Sequence, residues 1–151
     1  MIYLRLRGNI AQGMFQIYFV SKLAQELDQE FALYYNGSLH NSKYSWLKVK
    51  DREPFNKFKY VERYPSYLPV IFEKDPYDKN IYEITKERVK KSLEKYGMAA
   101  IEGWFQYRGN FDVEYARELF KVSEEKIDAL REKYAISDNT LCVIAIQSNS
   151  L

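Results

Sequence analysis

The chain has 151 residues, 46% of them apolar and 29% charged, a balance that excludes disorder and predicts one α/β domain over 1–151 with a core able to fold unaided. A net charge of +2 gives no reason to expect nucleic acid as a partner, and no run approaches the ~20 apolar residues of a membrane span. The single cysteine, Cys142, excludes a disulfide framework, and MIYLRLRGN has no signal-peptide core, so a cytoplasmic location is expected.

Along the chain, Ile2, Leu4 and Leu6 alternate with Tyr3, Arg5 and Arg7, the period of a strand. Gly8 and Asn9 break that pattern, and from about Gln12 the period changes. Val20, Leu23, Ala24 and Leu27 then form the apolar stripe of a helix about four turns long. FALYY reads as a second strand ended by NGS at 36–38, which completes a βαβ unit and predicts a parallel sheet. All four prolines fall within 38–80, where irregular structure with short helices or strands is expected. A locally basic stretch from Lys43 to Arg63 reads as a solvated face, and an anion-binding cleft would use the same charges. Val89, Leu93 and Tyr96 mark the next helix, with Gly97 as its C-terminal cap. MAAIEGWF reads as a strand, Asp112 and Ser123 as N-caps of two further helices, and TLCVIAI as a buried last strand with Cys142 as filler. The pattern as a whole predicts a three-layer α/β domain with a mostly parallel sheet.

Little in the pattern is reactive. With one histidine, His40, in the polar loop SLHNS, and one cysteine, no metal site or Ser-His-Asp triad is expected, and DPYD at 75–78 reads as a turn. The turn between first strand and first helix is the better candidate, because backbone N–H groups there can face a phosphate. Its glycines, Gly8 and Gly13, lack the spacing of either standard phosphate-binding pattern, so a tight connection is the competing reading. Aromatic abundance, with 14 Tyr, 9 Phe and 2 Trp, suits a dense core or a surface that stacks on sugars.

Two stretches carry a resemblance. RLRGNIAQGMFQIYF is similar to the signature R-L-x-G-G-L-G-N-Q-M-F-Q-Y-A of the α1,2-fucosyltransferases, glycosyltransferase family 11: Arg5, Leu6, Gly8, Ile10 and the triplet Met14-Phe15-Gln16 match. AIEGWFQYRGNF is similar to that family's L-x-G-[YF]-[FW]-Q-S-x-x-Y-F through Gly103, Trp104, Phe105, Gln106 and Phe111. The resemblance implies the acceptor-side, N-terminal lobe, Rossmann-like in fold, of a two-lobed enzyme that moves fucose from GDP-fucose to a galactoside without a metal or other cofactor. It places the turn of Gly8, Asn9, Gln12 and Gly13 near the donor, and Trp104 and Gln106 at an acceptor site.

The departures define the functional expectation. The family's G-N-Q is Ala11-Gln12-Gly13, and its H-x-R-R-G-D aligns with AIQSNS, putting Gln147 and Ser148 where two arginines would steady the diphosphate. The expected protein is therefore a truncated or degenerate fucosyltransferase-like lobe, not catalytic alone, whose glycine turn is vestigial. A stand-alone carbohydrate-binding or assembly module is the alternative. Either form is expected to pair with itself or with a partner protein through apolar surface left uncovered.

Overall fold

Strand alternation sets the centre of the sheet. The computed structural model describes residues 1–34, 50–75, 78–105 and 111–137. Within it, β1 (Ile2–Arg5) buries Ile2 and Leu4 and leaves Tyr3 and Arg5 partly exposed. Asn9 then caps α1 (Ile10–Glu26): its side-chain oxygen accepts from the Gln12 amide, and the Gln12 side chain accepts from the Asn9 amide. This reciprocal pair satisfies two N–H groups that a helix start would otherwise leave unbonded. α1 returns the chain to β2 (Phe31–Tyr34), which pairs in parallel with β1 from Ile2↔Phe31 to Arg5↔Tyr34.

A 3-10 turn at Phe55–Lys57 precedes β3 (Tyr60–Val61), and β4 (Val70–Phe72) follows. α2 (Ile81–Tyr96) ends at Gly97, whose φ of +72° and N–H bond to the Leu93 carbonyl stop the helix before β5 (Ala99–Glu102). The strands form one sheet ordered β3-β2-β1-β5-β4, and every pairing is parallel. The Rossmann-like α/β class expected from the sequence is thus the class adopted.

Handedness explains what covers the sheet. The steps β1→β2 and β4→β5 run in the same direction, so right-handed crossovers put α1 and α2 on one face. There Phe19 meets Tyr82 edge-on at 5.2 Å, and Lys86 pairs with Glu26 at 2.9 Å. The step β3→β4 runs the other way, from one edge of the sheet to the opposite edge. Tyr64, in that crossing, lies against Tyr3 at 5.9 Å and Tyr34 at 5.0 Å on the face away from the helices. Leu4, Leu33 and Ile101 share a register and point to the helices, where Ile17, Val20, Leu23 and Val89 are fully buried with them. Each such side chain contributes about 1.5–3 kcal/mol.

The chain divides into two units, 1–121 and 122–151. In the first, Asp112 caps α3 (Val113–Leu119) by accepting from the Tyr115 amide at 3.0 Å. In the second, Ser123 caps α4 (Glu124–Lys133), with Glu124 and Glu125 in the first turn and Arg131 and Lys133 in the last, an arrangement that suits the helix dipole. Leu130 and Tyr134 remain exposed on it.

Two boundaries differ from expectation. α1 starts at Ile10 and not near Gln12, because Asn9 supplies the cap. The strand expected through Phe105 stops at Glu102, because the amides of Trp104 and Phe105 bond a side chain instead of a neighbouring strand. The 36–38 turn, His40, residues 43–49 of the basic stretch, the middle of DPYD, Gln106, the last strand with Cys142, and Gln147 with Ser148 all lie outside the described residues.

Candidate functional site

In this strand order the chain runs from β1 toward one edge and reaches β5 only after β4, so strand order reverses between β1 and β5. Open parallel sheets form their binding crevice at the carboxyl ends of the strands at such a point. The residues there are Arg5 to Asn9 from one side and Glu102 to Phe105 from the other.

On the β1 side, Gly8 turns the chain with φ +73°, a conformation that L side chains rarely adopt. A Cβ there would lie 2.0 Å from Gln12 Oε1 and 2.9 Å from Trp104 Cζ3, so the turn is closed over by both neighbours. Gln16 holds it from below. Fully buried, it accepts from the Arg7 amide and donates to the Arg7 carbonyl, each at 3.0 Å.

On the β5 side, Glu73, directly after β4, accepts from the Trp104 amide at 2.6 Å and from the Phe105 amide at 3.1 and 3.2 Å. Gly103 permits this approach, since a Cβ would sit 2.5 Å from that of Glu73. Phe105 takes a left-handed φ of +50° while its ring stacks on Phe19 at 4.1 Å. Trp104 turns the other way and stays 38% exposed, beside Gly8.

Charge joins the two sides. Glu102 is one register step past the Leu4↔Ile101 pair, which puts it opposite Arg5. Its side chain is 1% exposed; Arg5 Nη1 lies 2.8 Å from Oε2, and Arg7 Nη2 contacts Oε1. These are ion pairs, and among the described residues neither oxygen accepts an aligned hydrogen bond. A carboxylate buried this deeply needs them, because desolvation alone costs several kcal/mol. Arg7, whose side chain is half exposed, brings a planar fork of five N–H donors to the edge of the crevice.

Of the residues expected in the site, Gly8 and Asn9 form the turn, and Trp104 stands beside it. The side chains of Asn9 and Gln12 are engaged with each other. Gly13 is not part of the turn: it is buried in the first turn of α1, donating to the Asn9 carbonyl. Sequence reasoning missed Arg7, Glu73 and Glu102. Glu102 had a signal, a carboxylate ending the otherwise apolar run AAI, with arginines two apart at the end of β1. Glu73 had none.

A narrow aromatic cleft opens on the helix side between Tyr18, Phe19, Tyr82, Phe105 and Phe111, with Lys22 at its rim. At about 20 Å³ it has room for a water and none for a sugar ring. Burial, together with Glu26 alongside, raises the Tyr82 hydroxyl above the ordinary phenol range. Among the described residues, no cluster of three or more His, Cys, Asp or Glu could hold a metal, and no helix is long and apolar enough to cross a membrane. The crevice thus offers an aromatic face, a guanidinium edge and a rigid turn, which are means of binding. No protein-family model, curated protein or solved structure matches the chain.

Proposed function

We propose that the chain is an acceptor-side lobe of the glycosyltransferase family 11 type, related to the α1,2-fucosyltransferases, which binds a galactoside-type saccharide and does not transfer fucose by itself. One observation carries this reading: the two stretches that bear the resemblance, far apart in sequence, come together at the strand-order reversal. Gly8 lies beside Trp104, and Phe15 of the MFQ triplet contacts Phe111 at 5.7 Å. Gln16 of the same triplet anchors the turn. A partly exposed indole next to a rigid turn suits the apolar face of a pyranose.

GDP-fucose, the donor the resemblance implies, builds negative charge on its leaving diphosphate, and Gln147 and Ser148 align with the family's arginine pair in sequence. Losing one preorganised donor typically costs ~3 kcal/mol, about a hundredfold or more in rate. Titrating labelled protein with methyl β-galactoside should move the Trp104 indole and Gly8 amide signals, and radiolabelled GDP-fucose should give no transfer to that galactoside. Unmoved Trp104 signals would remove the saccharide reading. Time-dependent label transfer abolished by Gly8→Ala would make the chain an enzyme in its own right.

A further inference from the structure

We infer that Glu73 is the positioning residue of the Trp104 platform, an inference that rests on the saccharide reading above. Its carboxylate gathers two consecutive amides, those of Trp104 and Phe105. Hydrogen bonds to an ionised acceptor are roughly twice as strong as neutral ones. Glu73 is itself fixed: its amide donates to the Glu102 carbonyl at 2.9 Å, and Arg88 Nη1 donates to the preceding carbonyl, that of Phe72, at 2.6 Å.

Two further features lead to the same result. Gly103 leaves the space through which Glu73 reaches the amides. Phe105 holds a left-handed conformation, which a non-glycine residue keeps only when its surroundings over-determine it, and here its ring is locked on Phe19 as its amide is locked on Glu73. With the Trp104 and Phe105 amides both held, the backbone fixes the direction in which the side chain between Gly103 and Phe105 leaves the chain. That side chain is Trp104, the large aromatic left partly exposed beside the Gly8 turn. A binding ring held in place before the ligand arrives loses less freedom on binding.

The test compares Glu73→Ala and Glu73→Gln in the full chain with the parent. In Glu73→Ala, the Trp104 and Phe105 amides should move upfield and exchange faster, and the Trp104 indole should become more open to acrylamide. Methyl signals of Leu4 and Ile101 should stay in place. If the bound-like orientation falls to about a tenth of molecules, galactoside affinity falls about tenfold. Glu73→Gln keeps one carbonyl acceptor and should restore most of both readouts. Glu73→Asp, which keeps the charge and shortens the reach, serves the same comparison if the alanine variant does not fold. Amides released with an unchanged indole environment would overturn the inference, as would unchanged affinity. A parent protein whose Trp104 ignores galactosides would instead overturn the saccharide reading, and the indole and amide signals would still decide the role of Glu73.

Discussion

Gly8 and Gly97 make a matched experiment. Their φ angles are +73° and +72°, yet a Cβ at Gly97 meets nothing within 4 Å, whereas at Gly8 it meets Gln12 and Trp104. Gly97→Ala therefore measures the left-handed backbone alone, about 1–2 kcal/mol. Gly8→Ala carries the same cost and must also displace the Gln12 side chain from the Asn9 amide, a loss of about 1 kcal/mol. The indole of Trp104 has to move as well, giving up packing on the turn. Gly8→Ala should consequently be the more destabilising by about 1–2 kcal/mol, which for a unit of this size is about 4–8 °C in melting temperature. Urea titrations followed by fluorescence, with equal m-values, measure both variants. In a Gln12→Ala background the closest clash is gone, and the cost of Gly8→Ala should fall toward that of Gly97→Ala. Equal losses at the two glycines would show that the turn is not closed over by its neighbours, and the reasoning would fail.

Arg5→Met should destabilise by about 2–3 kcal/mol, because it strips the better-buried partner from Glu102. Arg7→Met, at a side chain 51% exposed, should cost less than about 1 kcal/mol; urea midpoints of the two variants check the order. Burial, with Asp51 nearby, pushes the Tyr60 hydroxyl from 10.0 up to about 12. A pKa raised in the folded state gives stability that is whole below pH 10 and is lost as pH rises toward 12. Tyr60→Phe should flatten that alkaline decline in urea midpoints, and an unchanged slope would contradict it.

The parts of the fold legible in sequence were those governed by short-range periodicity. Ile2 and Leu4 alternate, Val20 and Leu23 repeat at helical spacing, and Asn9, Gly97, Asp112 and Ser123 end or begin helices through their own chemistry. The edge strands β3 and β4 are two and three residues long and carry too little pattern to announce themselves. The crevice was legible in part. Gly8 and Trp104 could be singled out by type, but their contact depends on β1 lying next to β5, a tertiary fact. That Gly13 lies inside a helix was not legible, because the start of that helix is set by Asn9. Glu73 could not be read at all, since it acts on backbone amides, and every residue has those.

The pairing of β1 on both sides also bears on how the protein comes apart. Ile2 meets Phe31 across one flank and Ala99 across the other, so the first pairing is closed by a single helix and the second by most of the unit. The segments β1-α1-β2 and β4-α2-β5 are each local, and the seam between them carries the larger loop-closure cost. At the carboxyl end of that seam lie the Arg5–Glu102 ion pair and the approach of Gly8 to Trp104. A ligand gripping both sides there acts as a staple across the join with the longest loop to close, and its binding energy opposes separation of the two halves of the sheet rather than fraying of one loop.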